Sequence, residues 1–284
     1  MTIDRVAVIG GGQMGAGIAE VCARAGAEVV VVESDGEGGR RALARIDGSL
    51  DRAVRRGKLE DAERRATIER IGVSTDLAAC ADRQLVIEAI VEDADAKIAV
   101  LSSVNRVLTN PKAILATNTS SIPIMKLAAA TGAPERVVGL HFFNPVPVMP
   151  VVEVITTLAT RPEVVERVRS FATDQLGKSV IDAQDRAGFV VNSLLIPYLL
   201  SAIRMLESGY ASAEDIDAGM RLGCGHPMGP LELADLIGLD TVQAIAESMY
   251  AEHKEPLYAP PPLLSRMTDA GLLGRKSGRG FGRH

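Results

Sequence analysis

From Arg5 to about Asp182 the chain alternates short β-branched runs with helix-length segments, and this alternation restricts its fold more than any other feature. The runs that read as strands are Val6–Ile9, Val29–Val32, Ile71–Ser74, Leu85–Ile87, Ile114–Ala116, Val137–Leu140, Val151–Ile155 and Ser179–Ile181. Several of them, Val29–Val32 above all, are apolar at every position, as strands covered on both faces must be. Helices between such strands imply a parallel, doubly wound α/β sheet. One crossover is too long for a single helix: 37 residues separate Glu33 from Ile71, where about a dozen suffice. That stretch is charged, helix-forming and broken at Gly57, so it reads as a helical hairpin inserted over about residues 36–70.

After Asp182 the strand signal stops. The expected organisation is therefore a sheet domain over residues 1–182 and an all-helical domain over residues 183–284. Asn192–Glu207 is apolar around nearly its whole circumference, which fits a helix buried in a core or against a partner chain. Further helices are expected over Ser212–Leu222, with Glu214 and Asp215 in the first turn, and over Gly229–Ile237, Asp240–Ala251 and Pro261–Ala270. The tail from Gly274 is glycine-rich and basic.

Composition narrows the function. With 47% apolar residues in 284 there is material for two cores, and 31 Lys+Arg against 36 Asp+Glu leave a net charge of −5. That balance offers no basic field for a nucleic-acid backbone or an anionic membrane. Cys22, Cys80 and Cys224 are widely spaced without a C-x-x-C pair, so no metal site is expected and a reducing cytoplasm is the natural location. The N-terminus carries no secretory pattern, and the longest apolar run, Leu194–Leu206, is interrupted by Pro197, Ser201 and Arg204 and is too short to span a membrane. Aromatic residues make up only 3% of the chain, yet Phe142 and Phe143 stand together beside His141 and are expected to wall it from water.

Gly10-Gly11-Gly12-Gln13-Met14-Gly15 follows the first strand and opens a helix, and Glu33 ends the next strand. In that setting G-x-G-x-x-G, a weak pattern by itself, reads as a Rossmann-like dinucleotide turn. Glycines let a pyrophosphate approach the helix N-terminus, and the carboxylate of Glu33 accepts from ribose hydroxyls while repelling a 2′-phosphate, which favours NAD. A plain strand-to-helix turn with an exposed Glu is the simpler alternative.

The second constellation is His141-Phe142-Phe143-Asn144-Pro145 followed by Val151-Val152-Glu153-Val154-Ile155. Glu153 interrupts an apolar strand, and an isolated charge there is costly, so it calls for a cation or a donor. An imidazole–carboxylate pair with His141 would suit a base that removes a hydroxyl proton. A structural histidine with Glu153 on a solvated face remains open at this level. Asn118-Thr119-Ser120-Ser121 lies beyond a strand at the ligand-binding end of such a sheet, with helix capping as the competing role, for Ser121 more than for Ser120. Glu88 and Glu92 read equally as first-turn helix acids. Asn192 is either a cap or a substrate ligand. The hairpin's Arg52, Arg55, Arg56 and Lys58 form a solvated face or a clamp for a phosphate-bearing tail.

The stretches GGGQMGAGIAE, VIEAIVED, ATNTSSIPI, GLHFFNPVPVMPVVEVI, DRAGFVVN, HPMGPLELADLIGLD and GRKSGRGF, in this order over essentially the whole chain, resemble the short-chain L-3-hydroxyacyl-CoA dehydrogenases, particularly bacterial 3-hydroxybutyryl-CoA dehydrogenases. HFFNPVPVMP is the most specific of them. The resemblance implies NAD-linked interconversion of short 3-hydroxyacyl-CoA and 3-ketoacyl-CoA in a cleft between the two domains. It implies a His141–Glu153 dyad, with Ser120 and Asn192 holding the substrate oxygens. For the cofactor it points to Gly10–Gly15, Glu33, Glu92, Lys97, Ser120, Asn144 and Lys276, and for coenzyme A to Ser49 and Arg56. It also implies a homodimer through the C-terminal helices. Glu33 stands where the family usually has Asp, and Arg56 where it has Lys. Rival readings are the same chemistry on an acyl-carrier-protein or sugar-acid substrate, or a non-catalytic NAD-binding protein.

Overall fold

The structure is a computed structural model that describes residues 2–284 and falls into two compact units, the first ending at Arg186 and the second spanning Ala187–His284. In the first unit β1 (Arg5–Ile9), α1 (Gln13–Arg24), β2 (Glu28–Val32), α2 (Gly36–Arg55), α3 (Asp61–Glu69), β3 (Ile71–Ser74), β4 (Leu85–Glu88), α4 (Ala94–Val107), β5 (Ile114–Thr117), α5 (Ile124–Ala130), β6 (Val137–Phe142), β7 (Val151–Thr156), α6 (Pro162–Ser170) and β8 (Ser179–Gln184) follow one another. They build one eight-stranded sheet of order β3-β2-β1-β4-β5-β6-β7-β8. The all-apolar runs are buried on both faces: Val6, Ala7, Val8, Val29 and Val31 are all 0–1% exposed. The α2–α3 pair is the helical hairpin, turning at Gly57 with φ +65°, a conformation that glycine adopts without strain.

The sheet departs from the all-parallel expectation at one place. β7 runs antiparallel to β6, with His141 directly opposite Glu153. The segment between them carries no helix, and only a crossover can return a chain to the same direction. Strand order reverses between β1 and β4, so the carboxyl ends of β1, β4, β5 and β6 gather at the switch point where such sheets bind ligands.

α5 also differs from expectation in how it begins. Its first amides, of Ile124 and Met125, donate to the carboxylate of Asp185 at 2.8 and 2.6 Å, so Ser121 is not its cap. Asp185 lies 60 residues downstream of Met125, beyond the reach of any local capping rule.

α1 buries its Gly15–Ala23 face, and Glu20 lies within that face at 1% exposure. Neither of its carboxylate oxygens has a hydrogen-bond partner among the described residues, and Arg24 is 3.8 Å away. Burial pushes this carboxyl above its ordinary range, and the charges of Arg24 and Arg52 offset only part of that. A native group that holds its proton more tightly than the unfolded chain lowers stability above the unfolded titration range and costs none well below it. Glu20→Gln is therefore expected to raise Tm by about 2–4 °C at neutral pH, with the gain shrinking toward pH 4 in thermal melts. A gain independent of pH, or a loss, contradicts this.

The second unit is helical: α7 (Val191–Glu207), α8 (Ala213–Ala218), α9 (Pro230–Ile237), α10 (Leu239–His253) and α11 (Pro262–Asp269). They enclose a core that includes Leu199, Ile203, Leu231, Val242, Met249 and Leu264. α7 is less uniformly covered than its composition suggests, with Leu194 74% and Met205 41% exposed. α8 stops at Ala218, short of the expected Leu222, and passes into a wider helical turn over Gly219–Gly223. The tail folds onto α9: buried Asp235 accepts from the amides of Phe281 and Gly282 and bonds the His284 ring at 2.8 Å.

Candidate active site

The glycine-rich turn is built for an anion. Gly10 has φ +93°, and a Cβ on Gly15 would fall 1.8 Å from the Gly10 carbonyl oxygen, so neither position tolerates a side chain. Gly12 caps α1 with no side-chain bond, and the first turn carries no acid. The leading N–H groups of the helix are thus left for a ligand. Glu33, just past β2, accepts from Gly11 N–H at 2.5 Å. Gln13 Nε2 donates to Asn144 Oδ1 at 3.0 Å, tying the turn to the loop after β6. An uncapped helix end with a carboxylate beside it fits the pyrophosphate and ribose of NAD, and Gly10–Gly15, Glu33 and Asn144 stand together there.

Antiparallel pairing explains the second half of the site. Directly opposed residues of two strands share a face, so the register of β6 and β7 brings His141 onto Glu153. Nδ1 lies 2.7 Å from Glu153 Oε2, in surroundings where the two residues are 4% and 0% exposed. An ionised carboxylate can only accept, so Nδ1–H donates, and Nε2 is left with the lone pair. Ser120 Oγ, on the loop after β5, is 3.0 Å from Nε2 and donates to it. The solvated-face alternative for Glu153 is thereby excluded. The arrangement is an oriented, nearly dry base with a hydroxyl against its Nε2.

Glu88 and Glu92 are not ordinary first-turn acids, for Asp93 caps α4. Glu88 ends β4 fully buried and accepts from Lys97 Nζ at 2.6 Å, Ile90 N–H at 2.7 Å and Thr117 Oγ1 at 2.7 Å. Glu92 Oε1 accepts from Thr119 Oγ1, the amides of Ser120 and Ser121, and Ser121 Oγ, all within 3.1 Å. Burial pushes the Glu92 carboxyl up, but Lys97 at 3.3 Å and these donors outweigh it and hold the group below the usual carboxylate range.

Phe142 and Phe143 divide their roles, because neighbours on a strand point to opposite faces. Phe143 packs on His141 with ring centroids 4.7 Å apart, whereas Phe142 enters the sheet core and does not wall the histidine. Two side chains support the site from behind, Asn118 of the expected group and Lys178 from outside it. Asn118 Oδ1 accepts from Phe142 N–H at 2.8 Å and fixes the end of β6. Lys178 Nζ donates to the carbonyls of Val146 and Met149 at 2.9 and 2.7 Å, holding the loop between β6 and β7. A lysine whose acceptors are backbone carbonyls about thirty residues away leaves no trace in a sequence pattern.

Ser49 and Arg56 lie on α2 and at its C-terminal end, Ser49 half-buried and Arg56 exposed. A cavity of about 350 Å³ runs past Ser49, lined also by Gln13, Arg45, Arg52, Asn144 and Pro147. Asn192 and Lys276 belong to the second unit. Asn192 is buried in the first turn of α7, and Lys276 pairs with Asp240. Among the described residues no helix is long and apolar enough to cross a membrane.

Two family models cover the chain: "3-hydroxyacyl-CoA dehydrogenase, NAD binding domain" over residues 5–186 and "3-hydroxyacyl-CoA dehydrogenase, C-terminal domain" over residues 188–284. A 3-hydroxybutyryl-CoA dehydrogenase of Mycobacterium tuberculosis is 56% identical over 279 residues, 98% of each chain. The crystal structure of FadB2 from M. tuberculosis matches with a TM-score of 0.99 at 55% identity, covering 100% of both chains. That of (S)-3-hydroxybutyryl-CoA dehydrogenase from Ralstonia eutropha matches with a TM-score of 0.95 at 43% identity, covering 100% of this chain and 99% of that one.

Proposed function

The chain belongs to the 3-hydroxyacyl-CoA dehydrogenase family, and on that premise we infer that it interconverts (S)-3-hydroxybutyryl-CoA, or a similarly short 3-hydroxyacyl-CoA, and its 3-keto form, with NAD as the hydride carrier. The observation that carries this reading is the Ser120–His141–Glu153 relay beside a glycine-rich turn suited to NAD. Bound at that turn, NAD would supply the hydride acceptor for C3 of the substrate and, in its reduced form, the hydride donor for the reverse direction.

The protein's own part is to move one proton and orient two oxygens. Neutral His141 removes the 3-hydroxyl proton through Nε2 as the C3–H bond breaks. Glu153 keeps the proton of the resting ring on Nδ1 and stabilises the imidazolium that forms. Ser120 exchanges its hydrogen bond from Nε2 to the substrate oxygen, and Asn192 is assigned to the neighbouring carbonyl on the family resemblance. In reduction the same imidazolium hands its proton to the developing alkoxide at C3. Gly10–Gly15, Glu33, Glu92, Lys97, Ser120, Asn144 and Lys276 are assigned to the cofactor, and Ser49 and Arg56 to coenzyme A.

The test is production of NADH from NAD⁺, read at 340 nm, with (S)-3-hydroxybutyryl-CoA and not with its (R) isomer. Turnover of neither isomer, or of both equally, overturns the reading. Arg56 probes the carrier: exposed charge pairs are weak, so Arg56→Ala should raise KM for the CoA thioester only about 3–10-fold. Its KM for the N-acetylcysteamine analogue, which has no phosphate, should stay unchanged. An equal rise for both substrates removes Arg56 from phosphate binding.

A further inference from the structure

The buried charges beside the relay do more than fold a loop. Glu88 is 0% and Lys97 1% exposed, and buried ions persist only where geometry and further hydrogen bonds offset their desolvation. Both oxygens of Glu88 are engaged, one by Lys97 and the Ile90 amide, the other by Thr117, so Glu88 is a fixed point at the end of β4. Lys97 reaches from Glu88 at 2.6 Å to Glu92 Oε2 at 3.3 Å. Glu92 Oε1 then collects the donors of Thr119, Ser120 and Ser121, and Ser120 Oγ touches His141 Nε2. The chain of contacts runs unbroken from Glu88 to the imidazole and on to Glu153.

A staple for this turn would need none of these charges. Thr119 Oγ1 already accepts from the amides of Ser121 and Ile122 at 3.3 and 3.0 Å, which closes the turn locally. Two carboxylates around one ammonium instead leave one net negative charge on the Ser120 side of the ring, opposite the Glu153 carboxylate on β7. The site thus holds its base between two anionic groups, with Lys97 limiting how negative one of them is.

We propose that the Glu88–Lys97–Glu92 bridge is a positioning and charge-setting device for His141, acting through Ser120, so that Glu88 and Lys97 tune the base without touching substrate. The proposal deepens the dehydrogenase reading and rests on it for the role of His141. Removing one negative charge from this side makes the imidazolium less favourable, so proton uptake by His141 moves to lower pH. Glu88→Gln takes the bridge from −1 to 0. Adding Lys97→Met returns it to −1, carried by Glu92 alone.

The measurement is an NMR titration of the His141 ring protons, recognised by their absence in His141→Gln, in the wild type, in Glu88→Gln and in Glu88→Gln/Lys97→Met. The midpoint should fall by about half a pH unit in the single variant, the order expected of one screened unit charge near the ring, and return to the wild-type position in the double variant. The acidic limb of kcat/KM for oxidation should follow the same pattern. Coincident midpoints in all three proteins, or a double variant displaced further than the single one, overturn the proposal, since a merely structural bridge gives one of these. If Glu88→Gln alone does not fold, Glu92→Gln removes the same charge from a more exposed side chain and should lower the midpoint equally; an unchanged midpoint there also overturns it. The titration needs no turnover, so its failure is distinct from failure of the dehydrogenase reading, which shows as a wild-type enzyme inactive on the thioester.

Discussion

His141→Gln is expected to lower kcat by about 10³-fold in both directions while leaving the affinity for NADH within about twofold, since the change removes the proton carrier and no cofactor contact. A Gln side chain can still hydrogen-bond Ser120 and Glu153, so the fold is retained, but an amide neither takes nor delivers a proton at neutral pH. Steady-state rates with acetoacetyl-CoA and NADH, set beside NADH binding followed by fluorescence, check both halves. A variant with near wild-type kcat dismisses His141 as the base. A variant that fails to bind NADH shows that the histidine serves the cofactor.

The next largest effect is expected at Glu153. Glu153→Gln keeps shape and burial, but it withdraws the carboxylate that fixes Nδ1–H and stabilises the imidazolium, so kcat should fall roughly 10²–10³-fold. The amide can also turn its N–H₂ toward Nδ1, which forces the proton onto Nε2, the wrong nitrogen for accepting one. KM for the thioester should change far less than kcat, because the carboxylate touches no substrate atom. A loss confined to KM, or a loss of cooperative unfolding with no effect on the residual chemistry, contradicts the orienting role. The directly opposed register of His141 and Glu153 makes the two effects interdependent. The double variant should therefore lose little more than His141→Gln alone.

Much of the frame is legible in the chain because its strands are apolar throughout. Each of the eight expected runs lies within a strand, and three of them extend by a residue or two at the ligand-binding end, as far as Glu88, Thr117 and Phe142. Those extra residues are polar or near the site, so hydrophobic patterning stops short of them. Strand direction is a different kind of information. Nothing in Val151–Ile155 distinguishes an antiparallel from a parallel partner, and only the loop before it, with no room for a crossover helix, hints at the turn back onto β6. The alternation rule alone is enough to separate Phe142 from Phe143 and to put His141 and Phe143 on one face.

The charged part of the site was the least legible. Glu88, Glu92 and Lys97 stand where helix acids and helix lysines commonly stand, and a sequence does not show that a lysine is 1% exposed or that a glutamate ends a strand in the core. Asp185 bonds amides on α5 and Lys178 bonds carbonyls on the loop after β6 across tens of residues. Such contacts follow from the packing of elements and leave no local pattern to read. Glu153 was the exception, since one acid inside an apolar strand announces that it needs a partner.

Hydride transfer between NAD and C3 of a 3-hydroxyacyl thioester, with His141 managing the proton, has a direct isotopic signature. The most direct test is to react acetoacetyl-CoA with NADH carrying deuterium at the transferable C4 position and to analyse the product by mass spectrometry and NMR. The expected product is (S)-3-hydroxybutyryl-CoA with one deuterium at C3 and none elsewhere, formed by the wild type and suppressed in His141→Gln. No product, deuterium at another carbon, or equal formation by both proteins would contradict it.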